Sequence, residues 1–341
     1  MTDDSMTRLR TPASDGFSMP PEWGPHERCV MAWPCRSSMW GPALAAAKTE
    51  YAATARAIAR FEAVLVVAPP GMEAEAAAAC GPDVEVTAWA IDDSWTRDMG
   101  AVLVTDPQGR RRGVDFVFNS WGGKFVPYDQ DARFAERMCA HLGVERYDAA
   151  PLVLEGGAFT VDGTGTVITT EQCLLHPNRN PSLTRAQIED GLRSWLGVDE
   201  VVWLPFGLVE DDDTDGHVDN VAAFVAPGVV LAQTTSDLDN PNHGRLRANV
   251  AVLEAAGLEV LELDVLPYAT IDGTEVVVPP TNLYQAGAHG VVVPVVDGDD
   301  GRRALDAVAH LLPDREVVGV PGATLAVGGG GVHCITQQVP A

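Results

Sequence analysis

Apolar positions along the chain fall into short runs and longer stripes that alternate in a regular order. Cys29–Trp33 and Ala63–Val67 are apolar runs of strand length. Between them Leu44, Ala47, Tyr51, Ala55 and Ile58 recur at helical spacing across Leu44–Phe61. An alanine-rich helix at Met72–Cys80 and a strand at Val84–Trp89 follow. The order then repeats. Ala101–Thr105 and Val114–Phe118 predict a hairpin turning at Pro107–Gly109, and Phe134, Met138 and Leu142 give the next helix an inward face that Gly143 ends. Ala158–Val161 and Val167–Thr170 predict a second hairpin, turning at Asp162-Gly163. Thr184 and Gln187 have the spacing of a capping box, opening a helix with Ile188, Leu192, Trp195 and Leu196 inward, and the strand Glu200–Leu204 comes after it. Val221–Val225 with Val229–Gln233, a helix over His243–Ala256 and a strand at Leu258–Leu263 form a third copy. Asn282–Gln285 with Gly290–Val295, a helix over Arg302–Leu312 and a strand at Glu316–Val320 form a fourth.

Hairpin, helix and strand thus recur with a period of roughly 60 residues. A last hairpin, from the glycine-rich run before Cys334 and the strand Cys334–Val339, would take its helix and strand from Leu44–Val67 at the other end of the chain. The expected fold is α/β: five ββαβ units packed radially, a five-bladed α/β propeller with its active site on the axis. Closing the ring with the two chain ends leaves no open sheet edge. Residues 1–18 are expected to be a flexible tail and residues 19–341 a single catalytic domain.

Composition narrows the function. Acidic residues outnumber basic ones 48 to 23 in 341 residues, a formal charge of −25, which repels phosphate backbones and argues against nucleic acid. No apolar run is long enough to span a membrane, and Met1–Ser18 lacks the apolar centre of a signal peptide. Six scattered cysteines without C-x-x-C spacing read as reduced thiols of a cytoplasmic protein and suggest no tetrahedral metal site. The expected partner is a small cationic molecule, and a homo-oligomer is left open.

Polar clusters stand where each unit begins: Trp95-Thr96-Arg97-Asp98, Glu155-Gly156-Gly157, Asp215-Gly216-His217-Val218-Asp219-Asn220 and Gly331-Val332-His333-Cys334. Four consecutive glycines, Gly328–Gly331, carry a high entropic cost and imply close approach of the main chain directly before a thiol. His217 and Asp219 are two apart on an expected strand, so they would share a face and point into one site. A planar guanidinium presents donors on several edges that two carboxylates can clamp, while a thiolate attacks its carbon and a histidine protonates the departing ammonia. The constellation suits deimination of a guanidine.

The residues in order resemble the agmatine deiminases of the guanidino-group-modifying, or pentein, superfamily. The matching motifs are Met19-Pro20-Pro21-Glu22-Trp23, Ser94-Trp95-Thr96-Arg97-Asp98, Trp121-Gly122-Gly123-Lys124, Leu154-Glu155-Gly156-Gly157, Asn178-Arg179-Asn180-Pro181, Asp212–Asp219 and His333-Cys334-Ile335-Thr336-Gln337-Gln338. The resemblance implies a five-unit propeller with Cys334 as nucleophile and His217 as general acid and base. It places Asp98 and Asp219 on the guanidinium and Glu155 behind or beside the reacting carbon. Asp213 would hold the ammonium tail or be part of a solvated acidic loop; Trp95 would line the methylene channel or pack in the core; Gly331 would border the substrate. The implied product is N-carbamoylputrescine, and the implied chemistry needs no metal or organic cofactor. Departures at Pro279–Tyr284 and in the glycine run touch the pocket walls, so arginine, peptidyl-arginine and transfer of the amidino group to an amine are the alternative chemistries. A binding scaffold and a metal hydrolase using His217, Asp219 and Asp211–Asp213 are the alternative classes.

Overall fold

The computed structural model describes residues 10–341, and the first nine residues of the expected tail lie outside them. The rest of that tail is built into the fold. Thr11 caps a short helix, Pro12–Asp15, through a capping box, Phe17 is buried, and Ser18 pairs with Thr105. A buried aromatic explains the difference: it gives a polar segment something to bury.

The architecture is mixed α/β. Four three-stranded sheets share one plan, an antiparallel hairpin whose second strand pairs in parallel with a strand reached through a helix. Their strands are Val102–Thr105, Arg111–Val117 and Glu145–Val153; Phe159–Val161, Thr166–Thr170 and Glu200–Leu204; Ala222–Ala226, Val229–Gln233 and Glu259–Leu263; and Tyr284–Ala286, Gly290–Val295 and Glu316–Pro321. A fifth sheet joins the chain ends: Gln337–Pro340 pairs antiparallel with His26–Ala32, which continues in parallel to Ala63–Ala68 and Val84–Ala88.

Local chemistry accounts for the elements. Arg185–Leu196 opens on the Thr184–Gln187 capping box and ends at Gly197 in the left-handed region. Such a cap contributes about 1 kcal/mol. The buried side chains Ile188, Leu192, Trp195 and Leu196 contribute more, about 1.5–3 kcal/mol for a fully buried aliphatic one.

Two elements are absent from the pattern-based reading. Glu145–Val153 alternates exposed and buried residues, contains Pro151, and among the described residues pairs only with Arg111–Val117. An edge strand tolerates both a proline and a polar outer row. The hairpin Tyr268–Ile271 with Thr274–Val277 turns at Asp272-Gly273, both at positive φ, a turn signal present in the sequence but passed over. The expected hairpin of the glycine run with Cys334–Val339 does not form. The strand begins only at Gln337, its antiparallel partner is His26–Ala32, and Cys334 sits in a turn. That turn frees the thiol from sheet pairing.

Candidate active site

Each functional segment lies just before the first strand of its unit. Asp98 is in the helical turn Thr96–Met99, Glu155 precedes the turn Gly156–Ala158, His217 precedes the 3-10 turn Val218–Asn220, and Asn282 and Cys334 precede Tyr284 and Gln337. His217 and Asp219 are therefore not on a strand, as expected from their spacing. They share one site because the 3-10 turn folds them together.

They converge on Gly157. A Cβ there would lie 2.5 Å from His217 Nδ1, 2.9 Å from Asp219 Oδ2 and 3.0 Å from Asp98 Oδ1, so glycine is required for the approach. Asp98 is held from two sides: Gly157 N–H donates to Oδ1 and the Trp121 indole N–H to Oδ2, each at 2.9 Å. His217 Nδ1 stands 3.8 Å from Asp98 Oδ2, and neither ring nitrogen finds a hydrogen-bond partner among the described residues. Burial drives His217 down to about 3 despite the Asp219 charge, so the ring is neutral at pH 7. Burial, then repulsion from Asp219 and Glu155, pushes Asp98 up to about 8. Asp219 goes the other way. Burial raises it, but the hydrogen bond and charge of His333 outweigh burial and hold it low. Two facing carboxylates, only one of them matched by a local cation, form a site that favours a bound positive charge.

Cys334 is 3% exposed. Its sulfur lies 3.3 Å from Asn282 Nδ2 and 3.5 Å from Asp219 Oδ2. Burial, followed by Asp219 and Asp98, keeps the thiol protonated well above its ordinary range. A cleft of about 260 Å³ opens on it, lined by Met39, Trp95, Asp98, Trp121, Phe125, Asp213, Thr214, Gly328, Gly329 and Cys334. The glycine run acts by close approach. A Cβ on Gly330 would reach 2.5 Å from the Trp95 ring and 3.1 Å from Cys334 Cβ, and one on Gly331 would reach 2.5 Å from Asn282 Oδ1. Trp95 stacks on Trp40 and also lines the cleft. Asp213 lines the cleft, with Lys124 bonding its carbonyl and the Asp215 carboxylate rather than its own carboxylate.

Glu155 is fully buried against Arg179, with Nε 2.6 Å from Oε1, and is not among the residues lining the cleft. A carboxylate without solvent needs a counter-charge, and Arg179 of the Asn178–Pro181 motif supplies it. Glu155, Cys173 and His217 bring oxygen, sulfur and nitrogen donors within 4.8 Å of one another. The guanidinium of Arg179 already neutralises that carboxylate, which opposes a metal cation there. Asp211 is likewise committed, accepting hydrogen bonds from Thr214 N–H and O–H, His217 N–H and Asn220 Nδ2. It shapes the turn that carries His217.

Pattern reasoning missed Asn282, Trp121 and His333 as functional groups. Each sits in a motif singled out above, but its contact is made across the fold to a distant segment, which local spacing does not encode.

With this geometry in hand, the chain was compared with known proteins. The family model for the Porphyromonas-type peptidyl-arginine deiminase matches residues 18–340. The agmatine deiminase of Pseudomonas aeruginosa strain UCBPP-PA14 is 42% identical over 359 residues, 97% of each chain. That of Stutzerimonas stutzeri strain A1501 is 40% identical over 365 residues, 98% of each chain. The solved agmatine deiminase of Enterococcus faecalis superposes with a TM-score of 0.92 at 34% identity, covering 97% of both chains.

Proposed function

The chain belongs to the Porphyromonas-type peptidyl-arginine deiminase family, and from that premise we propose that it hydrolyses agmatine to N-carbamoylputrescine and ammonia through a covalent adduct on Cys334. The observation that carries this reading is the close approach of two carboxylates and a neutral imidazole at Gly157, with Asp219 Oδ2 3.5 Å from the Cys334 sulfur. Asp98 and Asp219 accept guanidinium N–H groups. The arriving cation offsets the charge that keeps Cys334 protonated, and neutral His217 takes the thiol proton. The thiolate bonds to the guanidinium carbon. His217 returns the proton to one amino group, the C–N bond breaks, and ammonia leaves an S-alkylthiouronium. Water then gives one proton to His217 as its oxygen bonds to carbon; the C–S bond breaks, the leaving sulfur takes the second water proton, the ureido product departs, and His217 releases its proton to solvent. Glu155 with Arg179 supports His217 from behind.

The far end of the substrate favours agmatine over free arginine. Asp213 at the cleft, with Glu210 and Glu275 in the adjoining pocket, attracts an ammonium and repels an α-carboxylate. The reading includes five units around a central axis as one catalytic domain. It also places the protein in the cytoplasm, in keeping with six unpaired cysteines and, among the described residues, no helix long and apolar enough to cross a membrane.

The test is ammonia release with agmatine, arginine and a peptidyl-arginine side by side, with mass spectrometry of acid-quenched protein. Turnover of agmatine with an adduct mapped to Cys334 is expected. Turnover without any Cys334 adduct, or no reaction with any guanidine, overturns the mechanism or the activity.

A further inference from the structure

The N-terminal motif Met19–Trp23 and the histidine beside the nucleophile have no part in the chemistry above, yet the fold joins them. Glu22 Oε2 lies 2.8 Å from His333 Nε2, and His333 Nδ1 lies 2.9 Å from Asp219 Oδ2. Glu22 is itself anchored, accepting from Arg97 Nη2 at 3.0 Å and from the Gln285 backbone N–H at 2.9 Å. A neutral imidazole has one N–H and cannot donate to acceptors at both nitrogens; only the imidazolium can. We propose that Glu22 and Asp219 hold His333 as an imidazolium, and that this cation turns and charges Asp219 so that Oδ1 is left to receive the guanidinium. His333 and Glu22 are then positioning residues for the deimination proposed above, on which this inference rests.

The remaining oxygen fits that role. Asp219 Oδ1 is buried and finds no hydrogen-bond partner among the described residues, while Oδ2 is engaged by His333. Without the imidazolium, Asp219 would face Asp98 as a second uncompensated carboxylate and would take up a proton, becoming a donor where the substrate needs an acceptor. The charges around His333 are Glu22, Asp219 and Arg97, with neutral His217 and the Cys334 thiol beyond Asp219. Burial and Arg97 disfavour its charge, but Glu22 and Asp219 outweigh them, and the folded value lies above that of free histidine. Its imidazolium is therefore fully present below the ordinary histidine range and is lost as pH rises through the raised value. Glu22 is held at about 2: burial raises it, and the His333 and Arg97 charges more than reverse that. It stays ionised throughout.

Full-length protein carrying 15N-histidine tests this, with His333 assigned by its loss in His333→Gln. Wild type is expected to keep both His333 ring nitrogens protonated to higher pH than a free histidine does. Glu22→Gln keeps an acceptor but removes the charge, and His333 is expected to lose its proton at lower pH than in wild type. KM for agmatine should rise about 10-fold, with the alkaline limb of kcat/KM moved the same way; Glu22→Asp should recover part of both. A wild-type His333 that loses its proton at or below the free histidine value, or a Glu22→Gln enzyme with unchanged limb and KM, overturns the proposal. Asp219→Asn gives a second reading of the same resonance should Glu22→Gln fold poorly. The spectra need no substrate, so they decide the imidazolium even if agmatine is not turned over.

Discussion

The Asn282 side-chain nitrogen lies 3.3 Å from the Cys334 sulfur, while its Oδ1 accepts the backbone N–H of His333 at 2.9 Å. One amide thus fixes the nucleophile and the turn that presents it, and it donates to Asn220 Oδ1 as well. Asn282→Ala leaves these buried groups unsatisfied, costing about 1–3 kcal/mol of stability. A fall in kcat of about 10-fold or more is expected, measured by initial rates beside a thermal melt. Unchanged kcat with lowered stability would make Asn282 purely structural.

His217 is neutral at pH 7 and stands with Nδ1 3.8 Å from Asp98 Oδ2. His217→Asn is expected to lose about 10²–10⁴-fold in kcat, as removal of a general acid–base group does. Unfolding should change little, since neither ring nitrogen makes a hydrogen bond within the described residues. Steady-state kinetics with circular dichroism check both halves.

Asp98, raised to about 8, makes two linked pH predictions. Below that value it carries a proton that the guanidinium must displace, so KM should fall as pH rises towards 8. Between the ordinary aspartate value and 8 the folded state holds a proton that the unfolded chain has released, so Asp98 makes stability fall with rising pH in that window. Asp98→Asn should flatten the fall. Denaturant unfolding at pH 5 and pH 8 measures it, and an unchanged slope would count against a raised Asp98.

Gly330→Ala places a methyl against the Trp95 ring and Cys334 Cβ. Overpacking of this kind costs about 1–3 kcal/mol. The thiol should also be displaced, cutting kcat and slowing alkylation of Cys334. Wild-type alkylation and kcat in this variant would refute the close-approach role of the glycine run.

Asp213 lines the cleft with a partly exposed carboxylate that no described cation pairs. Asp213→Asn is expected to raise KM for agmatine by up to roughly 5-fold, the size of a partly screened ion pair. KM for an alkylguanidine without a terminal ammonium should stay the same. An equal rise for both compounds would assign Asp213 to the fold of the loop.

Helix Arg185–Leu196 and strand Glu200–Leu204 were legible residue for residue, because caps and apolar periodicity act over a few neighbours. Cys334, His217, Asp98 and Asp219 stand out in the sequence by their motifs, and the fold gathers them. Polar edge strand Glu145–Val153 was hidden, because one-sided pairing leaves no apolar run.

Tertiary structure alone decided how those groups meet. It put His217 at the head of a 3-10 turn and Asp219 within it instead of on a strand, and it set Glu155 against Arg179. It also joined Glu22 to His333, 311 positions away. Short-range backbone preferences write elements into a sequence. The pairing of buried charges depends on which distant segments the packed core brings within a few ångströms, and no local pattern records that.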